Sequence, residues 1–255
     1  MFERIITMAD IKILCIGNSY SVGATKYLHQ IAKQYGDNID ATNLYIGGCS
    51  LERHAKNIKE DIPDYRIFKN GMWYGLHNVK IKEYIDVDKW DYITLQQASG
   101  LSYKWESYMP YLDEVAQYAK EKNPYSKFLI HQTQVCSDTR CRLQFGISGR
   151  QEMYEKLVDA YNKAAEQVGA VGILPTGEAS QIASVKYGVI DNMLYSDPGS
   201  HLSHRYGEYM AALTWFSVLT GKSVLDDKFG IDGSDEKIMK LMRMSAQEAT
   251  DKYRF

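Results

Sequence analysis

Short apolar runs alternate with helical patterns along most of the chain. The first run covers residues 11–16 and ends at Gly17, and residues 22–35 then show helical apolar spacing. The same alternation predicts four further strands, each followed by a helical segment, at residues 44–46, 92–95, 128–130 and 171–174. Parallel strands need crossover connections that cover both faces of a sheet. We therefore expect an α/β protein, a three-layer α/β/α sandwich with a five-stranded parallel sheet.

The alternation breaks between residues 64 and 88. Residues 72–81 there indicate an inserted hairpin or lid instead of a crossover helix. Towards the carboxyl terminus the pattern predicts a long helix over about 203–220 and an amphipathic helix over about 235–253. No repeat, linker or low-complexity tract divides the sequence, so residues 1–255 are expected to form a single domain.

Composition and charge narrow the classes of partner. A hydrophobic fraction of 45% and a net charge of −2 are ordinary for a globular protein and favour neither a nucleic acid nor an acidic membrane. No run approaches the roughly 18 apolar residues of a membrane helix. The charged amino-terminal segment differs from a secretory signal, which predicts a cytoplasmic protein, although a chain trimmed of its signal would show the same pattern.

The four cysteines, Cys15, Cys49, Cys136 and Cys141, match no CxxC zinc or redox spacing. Free buried thiols are the expected state. A disulfide between Cys136 and Cys141 is the alternative.

Polar residues follow the predicted strands, where the ligand crevice of a parallel sheet lies. These segments are Gly17-Asn18-Ser19 after the first strand, Gly47-Gly48 after the second, Gln96-Gln97 after the third, and residues 197–203 near the end. A serine, glycine N–H groups, amide side chains and an Asp/His pair are the groups that acyl transfer requires.

The order of these segments carries a resemblance to a known family. Residues 16–20 resemble the Gly-Asp-Ser nucleophile block of the SGNH (GDSL-like) hydrolases, with Asn18 in place of Asp. Gly48 resembles the second-block glycine, residues 95–97 occupy the third-block position, and His201-Leu202-Ser203 resembles the final histidine block. Within the superfamily the chain is similar to a poorly characterised bacterial group of proposed acetylesterases. The resemblance implies the flavodoxin-like SGNH hydrolase fold.

The resemblance also implies a serine esterase that works through an acyl-enzyme. Ser19 would be the nucleophile, His201 the general base and Asp197 its acid. The oxyanion hole would consist of the backbone N–H groups of Ser19 and Gly48 and the side-chain amide of Gln97. The implied substrate is a small-molecule ester or an O-acetylated carbohydrate, with no cofactor and no metal. An aromatic content of 12% would suit stacking on sugar rings.

Several alternatives stay open at this point. The third block lacks the usual Gly-x-Asn-Asp, so Gln96 could donate instead of Gln97. Asp197 and His201 are four residues apart where the family has three, and a type II turn at Pro198-Gly199 would absorb the difference. Otherwise a Ser-His dyad would be oriented by a carbonyl or by another acid such as Asp191. Ser19 itself could be only a helix cap.

The remaining histidines have weaker claims. His131 follows the fourth strand and could line the pocket, but we interpret it as a structural histidine. The side chain of His204 is expected to diverge from the crevice. A metal at Asp197, His201 and His204 is the alternative to a metal-free site.

Two rival functions belong to other classes. A flavodoxin-like nucleotide-binding module would need a phosphate-binding glycine loop, and residues 17–23 fit neither known pattern. A catalytically silent carbohydrate-binding relative would keep the crevice and lose the triad.

Overall fold

The structure, a computed structural model, describes residues 8–75, 77–197 and 199–253. Its centre is a seven-stranded sheet with the order β4-β3-β2-β1-β5-β6-β7. The strands are β1 (Asp10–Gly17), β2 (Asn38–Tyr45), β3 (Arg66–Lys69), β4 (Met72–Trp73), β5 (Tyr92–Leu95), β6 (Lys127–Gln132) and β7 (Gly172–Pro175). Strands β2, β1, β5, β6 and β7 are parallel, which confirms the predicted parallel sheet.

The helices of the described residues cover both faces of this sheet. They are α1 (Ser19–Thr25), α2 (Leu28–Gln34), α3 (Leu51–Lys59), α4 (Lys82–Ile85), α5 (Tyr111–Lys122), α6 (Asp138–Phe145), α7 (Arg150–Gln167), α8 (Thr176–Gln181), α9 (Asp191–Leu194), α10 (Gly207–Thr220) and α11 (Glu236–Lys252). A 3₁₀ turn, Trp105–Ser107, precedes α5, and a π-helical turn, Ile182–Lys186, follows α8.

Successive residues of β1 enter two separate hydrophobic cores. Leu14 and Ile16 pack in the core that α3, α5 and α7 cover. Ile13 and Cys15 pack in the opposite core, which contains residues of α2, α10 and α11. All four side chains are fully buried, as expected for a parallel strand with helices on both sides. The three-layer sandwich predicted from the sequence is confirmed.

The segment between residues 64 and 88 extends the sheet. Strand β3 pairs antiparallel with β2, and β4 pairs antiparallel with β3. The two are joined by Asn70-Gly71, both at positive φ (51° and 86°), which is the geometry of a type I′ hairpin turn. The segment thus contains a hairpin, but at residues 66–73 and not over 72–81, and the sheet has seven strands instead of five. Leu76 lies outside the described residues.

Two helices begin or end differently from the sequence pattern. The predicted helix over residues 22–35 is two helices, α1 and α2, and α1 begins three residues earlier at Ser19. The helix predicted from residue 203 begins at Gly207, because the Ser203 hydroxyl accepts the N–H groups of Tyr206 and Gly207. Local hydrogen bonds that hydrophobic spacing cannot reveal set both boundaries.

All four cysteines are buried free thiols, so the alternative of a Cys136–Cys141 disulfide is wrong. Burial raises the pKa of Cys15 to about 12 and that of Cys136 to about 11, which keeps these thiols protonated. Within the described residues, no helix combines the length and the apolar character needed to cross a bilayer.

Candidate active site

Ser19 lies where β1 ends and α1 begins, at the carboxyl edge of the parallel sheet. The cap of α1 is Asn18, whose side-chain oxygen accepts the Tyr20 N–H at 3.0 Å. Ser19 is therefore not the cap, and its hydroxyl is free for another partner. As the first residue of the helix, Ser19 also has a backbone N–H without an intrahelical acceptor.

The Ser19 hydroxyl lies 2.8 Å from Nε2 of His201. On the other side of the imidazole ring, Nδ1 lies 2.6 Å from Oδ2 of Asp197. The structure thus brings together the three residues named from the sequence, in the order hydroxyl, imidazole, carboxylate. Ser19 is half-buried, and the His201 side chain is 47% exposed, so the pair is open to solvent.

The Asp197 carboxylate also organises its own loop. Its Oδ1 accepts the N–H groups of Ser200 and His201, and its Oδ2 accepts the Ser200 hydroxyl. Burial alone would raise the pKa of Asp197, but the hydrogen bonds from His201 and Ser200 hold it well below its usual value. Asp197 therefore remains a carboxylate that can orient the imidazole and balance its positive charge.

The turn between the acid and the histidine has the expected glycine geometry. Gly199 has φ 91°, a backbone conformation that favours glycine. The expectation for Pro198 lies outside the described residues. Asp197 therefore reaches the imidazole of His201 although the two residues are four apart in sequence. The same carboxylate also accepts backbone N–H groups of the turn.

The two alternative partners of this block lie elsewhere. His204 is 79% exposed in its side chain, and its Nδ1 lies 2.9 Å from Glu208. It diverges from the crevice, so it does not complete a ligand set with Asp197 and His201. Asp191 is exposed in the first turn of α9. Among the described residues, no group of three or more His, Cys, Asp or Glu side chains could hold a metal ion.

Gly48 lies in the turn after β2, and the next residue, Cys49, accepts the side-chain amide of Asn18 at 3.0 Å. The Cys49 N–H donates to Ile46 O, which closes the turn, and Gly48 has φ 63°. The Gly48 N–H has no acceptor among the described residues. Together with the Ser19 N–H it can therefore donate to an oxyanion.

Gln97 does not occupy the position expected of an oxyanion donor. Its side chain is fully buried, and its Nε2 donates to the backbone carbonyl and the hydroxyl of Ser107. Its Oε1 accepts the N–H groups of Leu51 and Ala98. The amide thus links the start of α3 to the segment after β5 by hydrogen bonds. The expectation that it faces the crevice is wrong, because backbone groups already use both ends of the amide.

Gln96, the alternative oxyanion donor, and His131 lie directly behind the nucleophile and not in the crevice. Gln96 Nε2 donates to Asn18 Oδ1 at 2.7 Å, and His131 Nδ1 lies 2.9 Å from Gln96 Oε1. Both residues come at the carboxyl ends of their strands, which is the signal that singled them out in the sequence, but their contact with Asn18 was not predicted. The interpretation of His131 as a structural histidine agrees with its complete burial.

Comparison with known proteins shows which family the chain belongs to. The family model "Domain of unknown function (DUF4886)" matches residues 12–249. The chain belongs to this family. A DUF4886 family protein from Bacteroides uniformis, known from a crystal structure, is 35% identical over 94% of each chain, with a TM-score of 0.87. No curated protein sequence matches the chain.

A second solved structure links the DUF4886 fold to a larger superfamily. It is a proposed SGNH hydrolase from Slackia heliotrinireducens, 18% identical over 80% of this chain and 96% of that chain, with a TM-score of 0.55. At this identity the likeness concerns the fold. The DUF4886 chain therefore has the fold of the SGNH hydrolases, as its sequence blocks indicate.

Proposed function

We propose that the protein is a serine esterase that removes a short acyl group, such as acetyl, through an acyl-enzyme. The observation that carries the proposal is the continuous contact from the Ser19 hydroxyl through the His201 imidazole to the Asp197 carboxylate. A silent binding protein would have no need for this arrangement. The backbone N–H groups of Ser19 and Gly48 have no acceptor among the described residues, which supports their role as the oxyanion donors.

The reaction proceeds in two steps. His201 Nε2 accepts the Ser19 proton while the serine oxygen bonds to the ester carbonyl carbon, and the N–H groups of Ser19 and Gly48 bind the oxyanion. The bond to the alcohol oxygen then breaks, and His201 donates its proton to that oxygen. A water molecule attacks the acyl-enzyme, gives a proton to His201 and releases the free acid, and Ser19 recovers its proton.

An O-acetylated carbohydrate is the substrate class that the surroundings favour. At the edge of the sheet, Trp73 and Tyr74 are 45% and 47% exposed, and the Trp73 ring lies 5.0 Å from the ring of Tyr45. A Cβ on Gly47 would lie 3.2 Å from the Tyr45 hydroxyl, so this aromatic surface reaches the turn that carries Gly48. Exposed aromatic rings suit the apolar faces of sugar rings.

The test is hydrolysis of p-nitrophenyl acetate, p-nitrophenyl butyrate and an acetylated oligosaccharide by the parent protein and Ser19→Ala. We expect turnover that is fastest for the acetyl esters and is lost in Ser19→Ala with a melting temperature close to that of the parent protein, because Asn18 and not Ser19 caps α1. The control is Ser223→Ala, which removes the hydroxyl of an exposed serine in the loop after α10 and should leave turnover unchanged. An inactive parent protein, or a fully active Ser19→Ala, would overturn the proposal.

A further inference from the structure

Behind the nucleophile, three side chains form a buried chain of hydrogen bonds. It runs from His131 Nδ1 to Gln96 Oε1, from Gln96 Nε2 to Asn18 Oδ1, and from Asn18 Nδ2 to the backbone carbonyl of Cys49, at 2.9, 2.7 and 3.0 Å. The side chains of Asn18, Gln96 and His131 are 2%, 3% and 0% exposed. This series of hydrogen bonds therefore connects strand β6 to the turn that carries Gly48.

The direction of every bond follows from one fixed donor. The Tyr20 backbone N–H can only donate, so the Asn18 atom that it meets is the oxygen, and Nδ2 must face the Cys49 carbonyl. Gln96 must then present its nitrogen to Asn18 and its oxygen to His131. His131 Nδ1 must carry a hydrogen to donate to that oxygen. Burial lowers the pKa of His131 to about 3, which keeps the ring neutral.

Close packing restricts the side chains that form this series of hydrogen bonds. A Cβ on Gly17 would lie 2.8 Å from Gln96 Oε1 and 2.6 Å from the Ser21 hydroxyl, so only glycine admits the Gln96 amide beside β1. The Ser21 hydroxyl donates to Asn18 O, which fixes the backbone of the same residue. Reversing either amide would bring two acceptors or two donors face to face among buried residues.

We propose that His131, Gln96 and Asn18 are positioning residues that aim the Gly48 and Ser19 N–H groups at the oxyanion. Asn18 caps the helix that begins with Ser19 and at the same time ties down Cys49, the residue after Gly48. One amide thus sets the distance between the two donors. This role rests on the proposed esterase function, and it explains why Asn18 stands where the SGNH hydrolase block has Asp: a carboxylate would set an acceptor against the Cys49 carbonyl.

The variants are Asn18→Asp, Gln96→Met and His131→Phe, each of similar shape, with Gln132→Met as the matched control. Gln132 is a fully buried glutamine at the end of β6 that bonds Glu178 N–H and the Tyr253 hydroxyl, away from Ser19. We expect kcat to fall by about tenfold or more for Asn18→Asp, less for Gln96→Met and least for His131→Phe, with KM nearly constant. Gln132→Met should lose stability and keep kcat.

A second readout separates positioning from general destabilisation. An alkyl boronic acid forms a tetrahedral adduct with the nucleophilic serine and places one oxygen at the oxyanion position. Its inhibition constant should rise in the variants by the same factor as kcat falls. An active parent enzyme whose kcat and boronate inhibition are unchanged in Asn18→Asp and Gln96→Met would overturn the inference. A parent protein inactive on every ester would instead overturn the proposed function.

Discussion

The two halves of the candidate site are built in opposite ways. The nucleophile half rests on neutral, buried amides and a histidine, with Asn18, Gln96 and His131 almost inaccessible to water. The acid-base half is a loop with a charged carboxylate, Asp197, and a His201 side chain that is 47% exposed. Oxyanion donors stabilise charge only if their directions are fixed beforehand, whereas a general base must exchange protons with substrate and water. Rigidity is therefore concentrated beneath the serine.

The largest expected effect separates the two histidines of the exposed half. His201→Ala should lower kcat/KM for p-nitrophenyl acetate by about a thousandfold or more, because the base that contacts Ser19 is lost. His204→Ala is the matched control, since His204 pairs with Glu208 outside the crevice, and it should stay close to the parent enzyme. Steady-state kinetics on both variants measures the difference. An active His201→Ala beside an inactive His204→Ala would contradict the assignment.

The next effect concerns the carboxylate. Asp197→Ala should lower kcat by one to several orders of magnitude, because His201 loses the partner that fixes its ring and balances its charge. Asp191→Ala, which removes an exposed acid of the same segment, should have little effect. If Asp197→Ala kept parent activity, the site would be a Ser-His dyad, and a loss confined to Asp191→Ala would assign the acid there.

The smallest expected effect concerns stability and belongs to the buried half. Burial lowers the pKa of His131, and that of His54, a second fully buried histidine in α3, from 6.5 to about 3, so below pH 6.5 the unfolded chain binds protons that the folded chain does not. The free energy of unfolding should therefore fall with decreasing pH, by up to about 1.4 kcal/mol per pH unit for each histidine.

Urea denaturation at pH 7.5 and pH 5 measures this dependence. His131→Gln should weaken it by the share of one histidine, since glutamine does not titrate. A stability that is the same at both pH values, in the parent protein and in His131→Gln, would contradict the lowered pKa values of these two histidines.

The sequence could not decide which of the side chains of Gln96 and Gln97 faces the crevice. Both follow the same buried strand, and alternation alone indicates that they point to opposite sides. The choice between them depended on the backbone around Ser107 and Leu51, which uses both ends of the Gln97 amide. These partners are 10 and 46 residues away in sequence, so no local pattern could have revealed them. Neither glutamine side chain is an oxyanion donor in this arrangement.

The sequence by itself determined the parallel sheet, the placement of Ser19 and Gly48 after its strands, the choice of His201 from the final block, and the separation of His204 from the site. These features follow from hydrophobic periodicity and from the order of short polar blocks, which are local properties of the chain. Only the tertiary structure decided that Asp197 reaches His201 across four residues, that the inserted hairpin extends the sheet, and that His131 lies behind Asn18. Each of these depends on contacts between distant segments, because hydrogen-bond direction and burial are fixed only when the segments pack together.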